Sequence, residues 1–349
     1  MARYPATALR SFAQALLAKS GLADDRAAVV ADVLVEGDAL GHTTHGLALL
    51  AAYLGEIGNG SMRPAGEPTV LSDRPASLLW DGLRLPGPWL TMRAADVAIE
   101  RARTCGTATV VIRRSHHIAC LAAYLLRATE QGFVLLVASS DANSASVAPF
   151  GGTRAVFTPD PLAIGFPTAG DPVLVDICAS ITTNGMSARL HKAGSRFAHP
   201  WLLDAQGAPS DDPAVLYTDP PGTILPLGGI EAGHKGYGLA LLVEALSGGL
   251  AGFGRADPKQ GWGATVFVQA LDPDAFGGRE AFVREAEFIA KQCRDNPPRP
   301  GVDRVRLPGE RAMALRREQL TRGVQLHESI LPSLEPFAQR LGVALPAAV

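Results

Sequence analysis

DALGHTTHGLALLAAYL, residues 38–54, joins two apolar helical patterns across a short polar break. The pattern before it runs in from Asp25, and Gly41 interrupts it. Two histidines and two threonines follow, and an apolar helix restarts at Leu47. The spacing predicts helices over residues 25–40 and about 44–57, with Thr43 or Thr44 capping the second by accepting a free backbone N–H. His45 then falls in the first turn, where unpaired N–H groups and the helix dipole disfavour imidazolium. Such a ring releases its proton readily to a developing oxyanion, and the Thr44 hydroxyl can orient it. That pairing suits a general acid, although a helix-start histidine is also an ordinary cap or surface residue. His42 and His45, three apart, share a helical face as metal ligands do. No third ligand follows at zincin-like spacing, so no metal is assigned.

Outward from this stretch, residues 5–20 keep helical spacing through Leu9, Phe12, Ala13, Leu16 and Leu17, with Gly21 as a stop. The N-terminal sequence therefore reads as the first helix of the fold and not as a transit peptide. The Gly- and Pro-rich run 58–68 closes this helical unit. Strand patterns follow at 77–80, 107–113, 132–140, 162–167, 173–178 and 264–271. Helical patterns stand between them at 92–103, 118–131 and 239–250, and three more close the chain at 280–295, 309–323 and 327–341. Helices at both ends around a strand-rich middle imply an α/β (α+β) architecture. Residues 1–70 and 275–349 would form a helical domain, and residues 71–274 a mixed-sheet domain. No internal repeat or low-complexity segment is present.

The chain has 349 residues, 47% hydrophobic and 19% charged, with a net charge of −2, long enough for two domains or one large core. A near-neutral balance without a basic cluster leaves no footprint for nucleic acid. The longest apolar run, 239–252, is broken by Glu244 and three glycines, so no membrane span is expected. Cys105, Cys120, Cys178 and Cys293 are widely spaced and read as free thiols in a reducing compartment, which implies a cytoplasmic protein.

Four further motifs carry polar chemistry. The strand–turn–helix at 107–131 would aim the N–H groups of His117, Ile118 and Ala119 at an anion. In GHKGYG, 233–238, three glycines allow close backbone approach and Lys235 offers a point charge, or the run is a glycine-rich turn with a solvated lysine. Asp176 ends an apolar strand before Thr182-Thr183-Asn184-Gly185, where it would accept from ribose hydroxyls or cap the next segment. RLPGER, 306–311, sets two arginines beside a Pro–Gly turn, an anion clamp or a solvated cap. The dinucleotide fingerprint GxGxxG is missing.

Together these motifs resemble the malate/L-lactate dehydrogenase family that is unrelated to the Rossmann-fold lactate dehydrogenases and includes ureidoglycolate, sulfolactate, diketogulonate and cyclic imino acid enzymes. The resemblance runs from about residue 6 to 343. GHTTHG matches the family's G-x-D-S-H-G, which implies that His45 is the proton donor and that Thr44 stands for its serine. SHHIACLAAY resembles the family's S-x-H-F-G/A run and places His117, Ile118, Ala119, Cys120 and Leu121 on the cofactor. Asp176, Ile177 and Cys178 match a second cofactor stretch, and His234 and Lys235 a third. RLPGER matches the family's C-terminal cofactor loop, implicating Arg306, Pro308, Gly309, Glu310 and Arg311. The implied protein is a homodimer with a non-Rossmann NAD(P)-binding domain. It would pass a hydride between NAD or NADP and C2 of a small 2-oxo or 2-imino acid, with Asn184, Gly185 and position 49 near the substrate.

Three departures bear on the substrate. Leu49 stands where the family often holds the substrate carboxylate with arginine, and Met186 where some members carry a relay aspartate. Pro159-Asp160-Pro161 replaces T-N-P. A lost bidentate arginine costs a carboxylate substrate about 1.5–3 kcal/mol. The substrate would then be unusual, or Arg114 or Arg196 would hold its acid group. A cofactor-binding protein without the usual turnover is the alternative.

Overall fold

The computed structural model describes residues 2–349. Its centre is a mixed sheet of seven strands in the order 69–74, 77–81, 107–115, 264–271, 134–140, 161–166 and 173–178. Ser77–Asp81 and Thr107–Ser115 run parallel, joined by the helix Gly87–Cys105, and every other neighbouring pair is antiparallel. Period-two alternation divides the side chains between the faces. Val110, Ile112, Leu135, Val137, Val266 and Val268 enter the main core, while Val111, Ala138 and Phe267 pack on the opposite side with Val243 and Ala251. The strand Thr69–Arg74 had no clear sequence signal. Its side chains are largely exposed, so no alternation marks it.

The first helix, Ala6–Lys19, and the second, Asp24–Ala39, fall within a residue of their expected bounds, because each buries a continuous apolar stripe. The C-terminal helices Glu310–Arg322 and Ile330–Leu341 pack onto them, and the short strands Arg3–Tyr4 and Val324–Gln325 pair. Polar contacts lock the two ends together. Lys19 Nζ donates to the carbonyls of Leu341 and Gly342 at 2.8 and 3.0 Å, satisfying a helix C-terminus. Gln319 Nε2 donates to the carbonyls of Asp38 and Ala39 at 3.0 and 3.1 Å and fixes the base of the HTTH loop. These terminal helices share one hydrophobic core with a face of the sheet.

Five helix starts differ from the sequence reading: the helix expected from residue 92 begins at Gly87 and the one expected from 327 at Ile330, and three more bear on the site. The helix expected from Thr44 begins as a 3₁₀ turn, Leu47–Leu49, and continues as Leu50–Gly58. Neither Thr43 nor Thr44 caps it, because Asp38 accepts the Leu47 N–H at 2.7 Å. The helix expected from Ile118 begins at Ala122, since Ala119 takes φ +59° and breaks the turn. The apolar helix expected from Leu239 begins at Gly229 and continues into a π turn, Ala245–Gly249. GHKGYG thus lies within a helix and is not a loop. A side chain at Gly236 would meet the Leu227 N at 2.3 Å and the Ala179 carbonyl at 2.6 Å, so this glycine permits a backbone crossing.

Candidate active site

The loop His42–Gly46 rests on the fully buried Asp38. One carboxylate oxygen of Asp38 takes the Leu47 N–H, while Oδ1 has no hydrogen-bond partner among the described residues. Burial pushes the Asp38 carboxyl up to about 7, and the Leu47 N–H and nearby Arg189 only partly offset it. On the far side, Arg189 donates to the Thr43 hydroxyl at 2.9 Å and the Thr43 carbonyl at 2.8 Å. This ties the helix Asn184–Lys192 to the loop, and Thr183 caps that helix by accepting the Met186 N–H at 3.1 Å.

Thr44 Oγ1 lies 2.9 Å from His45 Nδ1, as the sequence suggested. The His45 pKa is lowered to about 4, but burial is the main cause, with His42 and Arg189 adding repulsion. The helix-dipole account is therefore replaced, because His45 precedes the helical turn. His117 stacks on His45 with ring centroids 5.9 Å apart. Its Nδ1 accepts from the Ala119 N–H at 3.3 Å and lies 2.8 Å from the Tyr53 hydroxyl. A backbone N–H can only donate, so the neutral His117 ring carries its proton on Nε2. Burial, then the neighbouring histidines, hold His117 well below the usual imidazole range. Trp262 closes this aromatic wall 4.7 Å from the His117 ring.

These groups face a cleft of about 360 Å³. Thirteen expected residues line it: Thr44, His45, Leu49, His117, Ile118, Ala119, Cys120, Leu121, Asp176, Ile177, Cys178, Asn184 and Gly185. His42 of GHTTHG also lines it, as do Ser139, Asp141, Ser144, Thr158 and Trp262, which no motif marked. Asp38, Tyr53 and Arg189 support the site from behind. Their contacts link residues 9, 64 and 146 positions apart, beyond any local pattern.

Other expectations are revised. Of the N–H groups offered to an anion, that of Ala119 donates to His117 Nδ1, and the helix starts later, at Ala122, whose N–H goes to Asp176 at 2.9 Å. His234 and Lys235 are exposed on the helix Gly229–Glu244 and are not among the cleft-lining residues. The RLPGER turn lies outside the cleft as well. Pro308 accepts the Leu174 N–H at 3.3 Å, Gly309 has φ +85°, and Glu310 pairs with Arg304 at 3.0 Å, while Arg306 and Arg311 are exposed. Neither suggested substitute for the substrate-binding arginine reaches the cleft. Arg114 is held by Asp81, whose carboxyl it keeps low, and Arg196 by Asp211 and Asp212. No lysine or arginine is among the cleft-lining residues.

The profile of the malate/L-lactate dehydrogenase family matches residues 4–335. An L-lactate dehydrogenase of Cupriavidus necator is 34% identical over 98% of this chain and 99% of its own. A malate dehydrogenase of Pyrococcus abyssi is 29% identical over 98% of this chain and 95% of its own. Among solved structures, malate dehydrogenase from Entamoeba histolytica superposes with a TM-score of 0.93 at 25% identity, covering 99% of each chain. The Δ1-piperideine-2-carboxylate reductase of Pseudomonas syringae gives 0.83 at 25% identity over 97% of this chain and 100% of its own.

Proposed function

The chain belongs to the malate/L-lactate dehydrogenase family and is an oxidoreductase, and from that premise we propose that it interconverts a small 2-hydroxy acid and its 2-oxo acid, or reduces a cyclic imino acid, with NAD or NADP. The observation that carries this reading is the His45–His117 pair inside a partly apolar cleft. His45 is oriented by Thr44 and kept neutral, so its free Nε2 is suited to take the proton of a substrate hydroxyl. In the reducing direction the resulting imidazolium returns that proton to the carbonyl oxygen. His117, with its proton on Nε2, is available to donate a hydrogen bond to the same oxygen.

The cleft fits the reactive end of a nicotinamide cofactor in size, with Ile118, Leu121 and Ile177 as apolar walls and Asp176, Ser139 and Thr158 as polar ends. When bound, that cofactor supplies or accepts the hydride at C2. Leu49 gives the substrate pocket an apolar corner. Asn184 and Gly185, at the positive end of the helix Asn184–Lys192, take the acid group instead of an arginine. The enzyme works as a homodimer, supported by Ile230, Leu241 and Leu242, which are 46–48% exposed on the helix Gly229–Glu244. Its four unpaired cysteines fit a cytoplasmic setting.

The test is a reductase screen of 2-oxo acids, cyclic imines and neutral ketones with NADH and NADPH. Turnover of a bulkier 2-oxo acid or a cyclic imine above pyruvate and oxaloacetate is expected. Reduction of neutral ketones alone, or no oxidation of either cofactor, overturns it.

A further inference from the structure

His42, Cys120 and Asp176 come from three separate segments: the HTTH loop, the turn before the helix Ala122–Thr129, and the strand Val173–Cys178. Their donor atoms nevertheless all lie within 4.8 Å of one another, and all three residues line the cleft. We propose that they form a site for one zinc-type divalent ion, with a fourth position open to the cleft.

The donor set selects the metal class. One imidazole nitrogen, one thiolate sulfur and one carboxylate oxygen suit a borderline-soft ion such as Zn²⁺, whereas Mg²⁺ and Ca²⁺ take oxygen ligands. Three protein ligands with an open position is the arrangement of a reactive zinc site and not of a closed structural one.

The geometry is close to what such an ion needs. Bonds of about 2.0–2.3 Å at tetrahedral angles place donor atoms about 3.3–3.8 Å apart. Cys120 Sγ and Asp176 Oδ2 are already separated by 3.8 Å. The Ala122 N–H holds that carboxylate in place at 2.9 Å, as a supporting hydrogen bond does around bound metals. Only the His42 ring has to move inward, by about 1.5 Å at most on the same geometry (4.8 − 3.3). It is half-buried, and the side-chain hydrogen bonds of its loop go to Thr43, Thr44 and His45 and not to it. On binding, the Cys120 S–H bond breaks, its proton goes to solvent and an S–Zn bond forms, with no change of oxidation state. The thiolate and the carboxylate then balance the two positive charges.

The site was not legible as a motif, because its ligands stand 78 and 56 positions apart. His42 finds its partners through the fold and not through His45.

The experiment titrates chelator-stripped, full-length protein with ZnSO₄ against a chromophoric chelator, and repeats the titration with Co²⁺ to look for the near-ultraviolet charge-transfer band of a cobalt–thiolate bond. One equivalent per chain and that band are expected. Cys120→Ser and His42→Ala should each weaken uptake about 100-fold or more, since even outer partners of metal ligands are worth about 10–100-fold. Cys105→Ser, at an exposed thiol, should change nothing. His42→Ala removes a ring without side-chain partners and should fold normally, so it keeps the test valid if Cys120→Ser does not fold. No uptake at micromolar zinc, uptake indifferent to His42→Ala, or cobalt binding without the band overturns the site. Uptake is read without turnover, so failure to bind zinc and failure to reduce 2-oxo acids are separate results.

Discussion

Gly46→Ala tests whether the loop under His45 is what places the proton-transfer group. A methyl group at Gly46 would lie 2.4 Å from both Cγ and Oδ2 of Asp38 and 2.6 Å from Oδ1. Ordinary contact begins at 3.4 Å, so about 1 Å has to be absorbed (3.4 − 2.4). Asp38 cannot retreat easily. Its side chain is fully buried and bonded to the Leu47 N–H, and its carbonyl accepts from Gln319. The loop therefore moves, and His45 moves with it. Overpacking of this kind costs about 1–3 kcal/mol of stability. A displacement of about 1 Å at a reacting group costs about 100-fold in rate.

Urea unfolding should show that loss of stability, and steady-state kinetics a fall in kcat near 100-fold, with cofactor affinity by fluorescence within about threefold of the parent. Adding Asp38→Ala removes the atoms that collide with the new methyl group. The double variant should be less impaired than the product of the two single effects. A Gly46→Ala enzyme that is destabilised as expected but retains kcat within twofold would refute the reasoning, because the loop would then have shifted without moving the reactive group.

Three other outcomes follow from the same geometry. His45→Ala should lower turnover about 10²–10⁴-fold with cofactor affinity nearly unchanged, and an equal loss of both would make His45 a structural residue. Leu49→Arg should improve oxaloacetate and pyruvate by restoring a cation beside His45, whereas no gain would place Leu49 away from the acid end. Burial raises Asp38 to about 7 from an ordinary value of 3.8, so its contribution to stability is full below the ordinary value and is lost as pH rises through about 7. Asp38→Asn should flatten that arm of a Tm-against-pH curve, and an unchanged curve would show that Asp38 does not titrate there.

Much of the architecture was legible because it rests on local periodicity. Leu9, Phe12, Leu16 and Leu17 mark their helix whatever lies opposite, and the continuous apolar run Val110, Val111 and Ile112 marks a central strand buried on both faces. Helix starts were less legible, because their caps came from elsewhere. Asp38 answers the Leu47 N–H from nine residues upstream, and Asp176 answers Ala122 from 54 residues downstream. Local capping rules look for Ser, Thr, Asp or Asn immediately before the helix, so they selected Thr43 and Thr44 and missed both aspartates. The segment around Lys235 was misplaced for a related reason: a run of glycines reads as a loop, but Gly236 is small because two backbones cross there, and the helix continues through it.

The charge pattern of the cleft follows from these long-range contacts. Counting cations in the sequence offered Arg114 and Arg196 as partners for a substrate carboxylate, yet each is paired with aspartate, and Arg189, which does reach the loop, spends its hydrogen bonds on Thr43. The lining that remains is apolar at Leu49, with the half-buried rings of His45 and His117 held neutral by desolvation. An acid group entering there meets no guanidinium or ammonium, and an unpaired carboxylate against Leu49 is costly. The proposed partner for it is the helix start at Asn184 and Gly185, which lines the cleft and carries first-turn N–H groups. On the proposed function, that end of the cleft orients the substrate: acid group toward Asn184, hydrocarbon portion toward Leu49, and the reacting C2 oxygen between His45 and His117.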